Sequence, residues 1–335
     1  MPNCIPRVSI IIPTYNYGHF IEDALDSVFN QDVPADRLEV IVVDDGSTDK
    51  TKAVVEKRFG RRLTYIYQDN RGVPAARNTG ISAARGEIIT FLDADDRWSS
   101  ERIRKVAKGF MHSDIGMVYH NFGVIDSAGK TLAENFYRTF DYKENRSGSI
   151  LTDILEGKIF CGGSSFAFRK ELLKGIYPLP EGIRRGIDFY ITAVASCHSF
   201  ALWVPETLGK YRLHGNNKTF YLKEDLSIIA EQHKDFSITY KAALDAISQL
   251  QSVPETDVRR LRKRYLRSLL LSCLMSGEKR RAMGYLPEIF KLSSSSREIA
   301  SSTGLSIMAL LPKNLYPSII KLNHALKKII WERWK

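Results

Sequence analysis

The sequence contains few cysteines, and they lie far apart. Of 335 residues only four are cysteine, and no two of them form a Cys-x-x-Cys pair; they are Cys4, Cys161, Cys197 and Cys273. Such spacing disfavours a zinc site or a disulfide framework and fits a reducing compartment. No basic region followed by a long apolar core opens the sequence, and no window approaches the roughly 18 apolar residues that a membrane span needs. We therefore expect a cytoplasmic protein without a signal peptide or a membrane-spanning helix.

Internal repeats and heptad arrays are also missing. Hydrophobic residues make up 44% of the chain and charged residues 26%, which is an ordinary globular balance that excludes global disorder. The net charge of +11 favours an anionic partner, such as nucleic acid, lipid headgroups or a phosphorylated substrate. Because no zinc knuckle, helix-turn-helix pattern or aromatic-basic stripe is present, we expect no nucleic-acid partner.

Short apolar strands alternate with helical patterns along the first hundred residues. Strands are predicted at 8–12, 40–43, 63–67 and 87–92, with helices between them. This alternation predicts a mainly parallel sheet flanked by helices, in which ligands bind beyond the carboxyl ends of the strands. Two acidic clusters, Asp44-Asp45 and Asp93 to Asp96, directly follow predicted strands. Their placement is the first indication of a functional site.

The predicted secondary structure changes near residue 220, from mixed strands and helices to helices alone. Further strands are predicted at 117–119 and 165–168, and a helix at 186–199. Beyond residue 220 the periodicity predicts only helices, at 222–250, 256–276 and 279–292, followed by a linker-like serine run at 293–296. We therefore expect an α/β domain over 1–220 and an all-helical appendage over 221–335.

The segment Asp93-Ala94-Asp95 places two carboxylates at the end of an apolar strand. Two like charges at positions i and i+2 are unfavourable unless a cation joins them. Hard oxygen ligands suit Mg²⁺ or Mn²⁺, which keep open positions for diphosphate oxygens. The alternative, a solvated turn that carries aspartates, stays open on this tripeptide alone.

Four sequence segments, taken together in their order along the chain, indicate a known family. They are 8–16 (VSIIIPTYN), 40–49 (VIVVDDGSTD), 72–80 (GVPAARNTG) and 84–96 (ARGEIITFLDADD). Together they resemble family 2 glycosyltransferases of the GT-A fold, over residues 8 to about 215. The resemblance implies a nucleotide-sugar half over about 1–97 and an acceptor half over about 98–220. It also implies an inverting glycosyltransferase of cell-surface polysaccharide or glycan biosynthesis, with a nucleotide-sugar donor and a saccharide or lipid-linked acceptor.

The resemblance assigns the donor residues position by position. Pro13 shapes the turn after the first strand, and Tyr15 offers a flat face for stacking on a pyrimidine. Asp45 matches the aspartate that contacts the base, and a carboxylate can accept the imide N–H of uracil or thymine, which favours a UDP- or dTDP-linked sugar. Asp44 would then close the turn or cap the next helix. Arg77 would meet phosphate oxygens or pair with an acidic motif, and both roles stay open.

The same resemblance places the metal at residues 93–96, which we call the acidic turn. Asp95 matches a direct ligand of Mg²⁺ or Mn²⁺, and Asp93 a ligand shared with the ribose. Ala94 lies between them in the nucleotide-sugar site, and Asp96 is interpreted as a helix cap. His214, in a Tyr-Arg-x-His segment, would complete the metal site or touch the diphosphate, although a lone histidine is commonly structural.

Inverting transfer needs a base that takes the proton of the acceptor hydroxyl. Asp188 stands where the family has the aspartate that opens a helix, but Ile187 replaces the glutamate common before it. A purely structural role for Asp188, as a helix N-terminal charge, stays open. Nothing around Asp153 or Glu181 matches, so both are poorer candidates. The segment 162–165 is expected to line the acceptor side.

The C-terminal part is rich in cations. One predicted helix carries Arg259, Arg260, Arg262, Lys263, Arg264 and Arg267. The tail 305–335 combines an apolar stripe, lysines and two terminal tryptophans, which suits peripheral contact with the anionic cytoplasmic face of a membrane. Packing of the tail on the rest of the protein is the equal alternative. For the whole chain, the competing interpretation is a nucleotide-sugar-binding or scaffolding protein that kept the fold with weak or no activity.

Overall fold

The computed structural model describes residues 5–139, 142, 146–215, 217, 225–293, 295–311 and 316. The chain divides into two compact units, Met1–Asn216 and Asn217–Lys335. The first is an α/β unit and the second is helical.

The first unit is built on one nine-stranded sheet. Its strands are β1 (Val8–Thr14), β2 (Leu38–Asp44), β3 (Thr64–Tyr67), β4 (Ile88–Phe91), β5 (Arg97–Trp98), β6 (Ile115–Ile125), β7 (Thr131–Ala133), β8 (Phe166–Arg169) and β9 (Phe200–Arg212). The strand order is β3-β2-β1-β4-β8-β6-β9-β5, with β7 paired to β6 outside this path.

The first four of these strands in sheet order are parallel, as the alternating pattern predicts. β1 pairs in parallel with both β2 and β4, and β2 with β3. All seven residues of β1 are buried, which explains why most of them are β-branched. Because Thr14 stands beside Asp44 in the register, the carboxyl ends of β1 and β2 meet at one edge of the sheet. The donor-side motifs follow these ends.

The sheet becomes mixed beyond β4. β8 runs antiparallel to both β4 and β6, while β9 runs parallel to β6. The sequence patterns did not predict β9, because Pro205, Glu206 and Thr207 interrupt its apolar alternation; its register against β6 shifts in the same region. β9 matters to function because its last residues reach the end of β4.

Helices cover the sheet. Those of the first unit are α1 (Ile21–Phe29), α2 (Thr51–Arg58), α3 (Val73–Ala83), α4 (Arg102–Gly109), α5 (Phe136–Thr139), α6 (Leu151–Leu155), α7 (Lys170–Lys174) and α8 (Ile187–Ala195), with 3-10 turns at Ala35–Arg37, Gly60–Arg62 and Gly163–Ser165. Ile21, Leu25 and Val28 of α1 are fully buried against Ile10 and Ile12 of β1. Helical spacing on α1 and strand alternation on β1 thus build one core.

The described residues of the second unit form α9 (Leu226–Ile247), α10 (Glu255–Ser276), α11 (Lys279–Lys291) and α12 (Ser296–Leu310). Its core contains Leu270 and Leu274 of α10 and Ile289 of α11, all without exposure to solvent. The predicted break at 293–296 falls at the connection between α11 and α12, where the Oγ of Ser295 accepts from the backbone N–H of Glu298 at 3.3 Å and caps α12.

Within the described ranges, none of the helices combines the length and the apolar character needed to cross a bilayer. Most of the predicted basic tail, at 312–315 and 317–335, lies outside the described residues.

Candidate functional site

The two loops that follow β1 and β2 are bound to each other. Asn16 adopts a positive φ of 57°, and its Oδ1 accepts from the backbone N–H of Thr48 at 2.8 Å. Asp49 accepts from the backbone N–H of Gly18 at 3.0 Å. Tyr15, the first residue after β1, is 47% exposed, which leaves its ring face available for a ligand. Pro13 lies within β1, where it pairs with Val43.

Asp44 and Asp45 have different surroundings although they are adjacent. Asp44 is 1% exposed; it accepts from the backbone N–H of Ser47 at 2.8 Å and from the hydroxyl of Tyr65. Burial, followed by this hydrogen bond to a carboxylate, raises the pKa of Tyr65. Asp44 therefore closes the turn after β2, which is one of the two structural roles expected for it.

Asp45 organises the loop that leads into α3. Its Oδ1 accepts from Gln68 Nε2 at 2.7 Å and from the backbone N–H of Arg71 at 3.0 Å, and Oδ2 accepts from Gly72 at 2.7 Å. A carboxylate offers about four lone-pair sites, so these three bonds leave room for one further donor. Gly72 has a φ of +91°, which favours glycine where the loop passes this close to Asp45.

Asp96 joins three distant segments of the chain, and we call this contact set the Asp96 junction. Its Oδ2 accepts from Ser164 Oγ at 2.7 Å, and its Oδ1 accepts from the backbone N–H of Arg212 at 2.9 Å. Its own N–H donates to Asp93 O at 3.0 Å and closes the acidic turn. The interpretation of Asp96 as a helix cap is wrong, because α4 begins only at Arg102.

The end of β9 brings a histidine to the acidic turn. His214 Nε2 lies 2.9 Å from Asp95 Oδ2, and Arg212 Nε donates to the carbonyl of Asp95 at 2.7 Å. The imidazole packs against Phe20 and Tyr17, with ring centroids 5.0 and 5.8 Å away. The structure thus places together Asp95 and His214, which are separated by 119 residues in the sequence.

The acidic turn is short of positive charge. Burial and the neighbouring carboxylates Asp95 and Asp188 raise the pKa of Asp93 to about 7, although Arg77 acts in the opposite direction. Burial, then Asp95 and Asp93, also raises the pKa of Asp96 well above its usual range. Both shifts mark unfavourable negative charge, which a divalent cation would offset.

The donor set fits a hard divalent cation. Two carboxylates and an imidazole, from Asp93, Asp95 and His214, stand at the turn, and oxygen donors suit Mg²⁺ or Mn²⁺. Across the described residues, however, no three His, Cys, Asp or Glu side chains converge as a ready-made metal cage. Asp93 is turned toward Arg77, so the remaining coordination positions would fall to the ligand and to water.

Arg77 connects the donor side with the predicted base. It is 1% exposed; its Nη1 donates to Asp188 Oδ1 at 2.5 Å, and its Nη2 lies 3.4 Å from Asp93 Oδ1. The guanidinium also stacks 4.7 Å from the ring centroid of Phe91. Of the two roles left open for Arg77, the structure shows the pairing with acidic residues. One cation therefore holds two carboxylates from opposite halves of the unit.

The 3-10 turn at Gly163–Ser165, just before β8, lies against Arg77 and Asp188. A Cβ on Gly163 would lie 2.5 Å from Arg77 Nη2 and 2.6 Å from Asp188 Oδ1, so only glycine fits there without displacing the ion pair. The next residue, Ser164, accepts from the backbone N–H of Asp93 at 3.1 Å and donates to Asp96. The segment 162–165, expected on the acceptor side, thus contacts both sides of the site.

Asp188 is the second residue of α8, whose N-cap is Gly186 with a φ of +76°. Its side chain is 26% exposed. Among the described residues, no hydrogen bond engages Oδ2 of Asp188, while Oδ1 receives Arg77. One carboxylate oxygen is therefore held in place, and the other can meet a ligand.

Two contacts fasten the loop before α8 to the nucleotide half. Asn78 exchanges hydrogen bonds with the backbone of Leu179, at 2.9 Å from Nδ2 and 2.8 Å to Oδ1. Arg71 donates to both carboxylate oxygens of Glu181 at 2.6 and 2.7 Å. Sequence reasoning found no role for Glu181, and it missed Ser164 because a serine beside glycines carries no signal for a specific contact.

Comparison with known proteins identifies the family. Residues 9–176 match the model for glycosyl transferase family 2. The chain is 31% identical over 217 residues to the uncharacterized glycosyltransferase alr2836 of Nostoc sp., an alignment that covers 63% of this chain and 66% of that protein. It is 33% identical over 135 residues to the putative teichuronic acid biosynthesis glycosyltransferase TuaG of Bacillus subtilis, which covers 39% of this chain and 53% of TuaG. In both cases the chain spans less than two thirds of the relative's length.

Solved structures agree on the fold. Staphylococcus aureus TarS 1-349 in complex with UDP-GlcNAc is similar with a TM-score of 0.64 and 20% identity, over 95% of this chain and 92% of that one. The mannosyltransferase PcManGT of Pyrobaculum calidifontis, in complex with GDP-Man and Mn²⁺, has a TM-score of 0.56 and 23% identity, over 99% and 89% of the two chains. At these identities the likeness establishes the GT-A fold. With half of its length matched by the family model, the chain belongs to glycosyl transferase family 2.

Proposed function

We propose that this protein is an inverting glycosyltransferase that moves a sugar from a nucleoside diphosphate to an acceptor hydroxyl. The observation that carries the proposal is the contact of Arg77 with both Asp93 and Asp188. This contact brings a donor-side carboxylate and a candidate base to one wall of the site. Both reacting partners could therefore be held next to each other, as a single displacement requires.

The donor is proposed to be a UDP- or dTDP-linked sugar. The exposed ring of Tyr15 can stack on a pyrimidine, and Asp45 retains a lone pair for an imide N–H. The structural likeness to a UDP-GlcNAc complex supports this choice, while the likeness to a GDP-Man complex makes a guanosine donor the competing outcome.

Asp95 and Asp93, with His214 beside them, are proposed to hold Mg²⁺ or Mn²⁺. When bound, such a cation offsets the negative charge that develops on the departing nucleoside diphosphate. Ala94 is buried between these aspartates, and we place its backbone in the nucleotide-sugar site. Arg77 keeps Asp93 in position from the other side.

Asp188 is proposed as the base. Its Oδ1 is fixed by Arg77, so its Oδ2 can accept the proton of the acceptor hydroxyl as that oxygen bonds to the anomeric carbon. The bond from the anomeric carbon to the diphosphate oxygen breaks at the same time, and its electron pair leaves with the nucleoside diphosphate. Attack from the opposite face inverts the anomeric configuration, and no covalent enzyme intermediate forms.

We assign this activity to a catalytic domain over 1–220 and regard 221–335 as a helical appendage. The acceptor is proposed to be a saccharide or a lipid-linked saccharide of a cell-surface polysaccharide. A named relative in teichuronic acid biosynthesis supports this acceptor class.

The test is a screen of UDP-, dTDP- and GDP-sugars with Mn²⁺ or Mg²⁺, which follows both donor hydrolysis and transfer. Asp95→Ala should abolish both reactions, whereas Asp188→Asn should retain donor binding and lose transfer by about 100-fold or more. Asp36→Ala is the matched control, because that side chain is 74% exposed and, among the described residues, forms an ion pair only with its neighbour Arg37. Unchanged turnover in Asp95→Ala would refute the metal assignment, and unchanged transfer in Asp188→Asn would move the base elsewhere.

A nucleotide-sugar-binding or scaffolding role is the second candidate. It is favoured by one observation, the engagement of Asp188 by Arg77, which also suits a purely structural carboxylate. Calorimetric binding of a donor without hydrolysis or transfer, across the acceptor panel, would support that role instead.

A further inference from the structure

Arg212, the last residue of β9, is a buried cation whose side chain meets three other segments of the first unit. Its Nε donates to the carbonyl of Asp95 at 2.7 Å, its Nη1 donates to the carbonyl of Ser127 at 3.3 Å, and its Nη2 pairs with Asp23 Oδ2. Each guanidinium nitrogen therefore has an acceptor. The side chain is fixed between the acidic turn, the loop after β6 and the first turn of α1.

Asp23 supplies the carboxylate that this buried guanidinium meets on α1. It lies in the first turn of the helix, its side chain is 41% exposed, and its Oδ1 lies 3.5 Å from Arg97 Nη1. A buried charge that loses its partner is strongly unfavourable, so Asp23 limits where the guanidinium of Arg212 can lie. Phe20, which directly precedes α1, adds a second contact, because the guanidinium carbon of Arg212 lies 4.9 Å from its ring centroid.

The acidic turn and the end of β9, which Arg212 joins, carry two candidate metal ligands. Arg212 Nε is bonded to the backbone of Asp95, whose carboxylate lies 2.9 Å from His214 Nε2. His214 follows Arg212 by two residues and packs on the same ring of Phe20, with centroids 5.0 Å apart. A shift of Arg212 would therefore displace a carboxylate and an imidazole together, and ligand distances in metal sites vary by only about 0.2 Å.

We propose that Asp23 and Arg212 are positioning residues for the metal ligands. Their ion pair joins α1 to the end of β9, which holds Asp95 and His214 where both can reach one Mg²⁺ or Mn²⁺ ion. Arg212 acts only through these ligands, because a guanidinium does not coordinate a metal. The inference rests on the proposed function, since it needs a cation to bind at the acidic turn. A merely structural ion pair would leave the affinity for Mn²⁺ unchanged in every variant that folds.

The test titrates the full chain with Mn²⁺, with and without UDP, and measures the free ion by electron paramagnetic resonance. Asp23→Asn should raise the Kd for Mn²⁺ by about tenfold, at the lower end of the effect of residues that hold metal ligands. Arg212→Lys should raise it by about 10–100-fold although the charge is kept, because a lysine cannot reach three acceptors with the geometry of the guanidinium. An effect of charge alone predicts no change in Arg212→Lys.

Asp26→Asn is the matched control. Asp26 lies on the same helix, its side chain is 36% exposed, and it pairs with Arg58 at 2.8 Å. The change removes the same charge from α1 and should leave the Kd for Mn²⁺ unchanged. Urea unfolding shows whether each variant is folded, and the half-exposed Asp23→Asn decides alone if Arg212→Lys is not.

An unchanged Kd in folded Asp23→Asn, or an equal rise in Asp26→Asn, would overturn the proposal. So would an unchanged Kd in folded Arg212→Lys, since that result would assign the effect of Asp23 to its charge. Absence of Mn²⁺ binding by the wild type under both conditions would instead refute the proposed metal site, and the positioning role with it.

Discussion

Arg77 donates to Asp188 at 2.5 Å across 111 residues of sequence, and the same guanidinium lies 3.4 Å from Asp93. Arginine suits this position because its planar fork can address two carboxylates at once, whereas lysine presents a single point of charge. The buried stacking on Phe91 fixes the plane of that fork. The relative placement of the candidate base and the acidic turn therefore depends on one side chain.

Arg77→Lys should keep the charge but lose the simultaneous contact with Asp93 and Asp188. We expect a loss of about 1.5–3 kcal/mol in the free energy of unfolding, the range for a hydrogen bond to a charged group. Transfer should fall by more than donor binding does. Urea unfolding and the ratio of kcat to KM measure the two effects. Arg85→Lys serves as the control, because that side chain is 70% exposed where it pairs with Glu39; equal effects of the two changes would contradict the role of Arg77.

Ser164→Ala should loosen the acidic turn. It removes the acceptor for the Asp93 N–H and the donor to Asp96. A neutral hydrogen bond contributes about 0.5–1.5 kcal/mol, and one to a charged group about 1.5–3 kcal/mol. We expect a higher Mn²⁺ concentration for half-maximal donor hydrolysis, with partial recovery in Ser164→Thr, which retains the hydroxyl. Ser165→Ala is the matched control, since within the described part of the chain that hydroxyl donates only to the carbonyl of Gly162. An unchanged metal requirement in Ser164→Ala would show that its bonds to the turn are dispensable.

The response to divalent cations should depend on pH. The folded-state pKa of Asp93 is raised to about 7, so the folded protein holds more protons than the unfolded chain between about pH 4 and 7. Stability contributed by this group is therefore lost as the pH rises through that interval. Mn²⁺ at ten to a hundred times its Kd should restore about 1.4–2.7 kcal/mol at pH 8 and less at pH 5.5, where protons compete. Thermal unfolding with and without Mn²⁺ measures this, and Asp95→Asn should remove the difference; an equal gain at both pH values in the wild type would argue against a site at these carboxylates.

His120 should make the protein less stable in mild acid. Arg102 Nε donates to its Nε2 at 3.0 Å, so the buried imidazole is neutral with its proton on Nδ1, 2.8 Å from the carbonyl of Asn121. Burial and then Arg102 lower the pKa of His120 well below its usual range. The unfolded chain alone binds this proton below about pH 6.5, so stability is complete above that pH and falls below it by about 1.4 kcal/mol per pH unit. Urea unfolding at several pH values should show a shallower loss in His120→Gln than in the wild type, and identical slopes would contradict the assignment.

The sequence allowed the nucleotide half to be predicted because each of its signals is local. The β-branched run at 8–12 predicts β1 by its own composition, and the acidic pair Asp44-Asp45 marks the end of β2. β9 escaped prediction because Pro205 and Glu206 lie where its register against β6 shifts, and local periodicity does not reveal such an irregularity. The same holds for Ser295, whose role as a cap depends on a helix that the serine run conceals.

The candidate site was predictable as a set of residue types but not as a set of contacts. Asp95 and His214 were both identified from motifs, and no motif states that they touch. The shared guanidinium of Arg77 and the exclusion of any side chain at Gly163 depend on how three segments meet in space. Such information exists only in the tertiary structure, because neither residue has a periodic or local signal for it.

The Asp96 junction has a consequence for the order in which the protein can mature during synthesis. Asp96 is bound by residues 68 and 116 positions later in the chain, so the acidic turn lacks these bonds until Arg212 has left the ribosome. The strands β1 to β4 need no such late partner among themselves, because they pair within the first hundred residues. A nascent chain that stops before β9 can therefore form the parallel strands without a finished acidic turn. Domains generally fold from the N-terminus as they emerge, which makes the joining of β9 the step that turns a folded scaffold into a competent site.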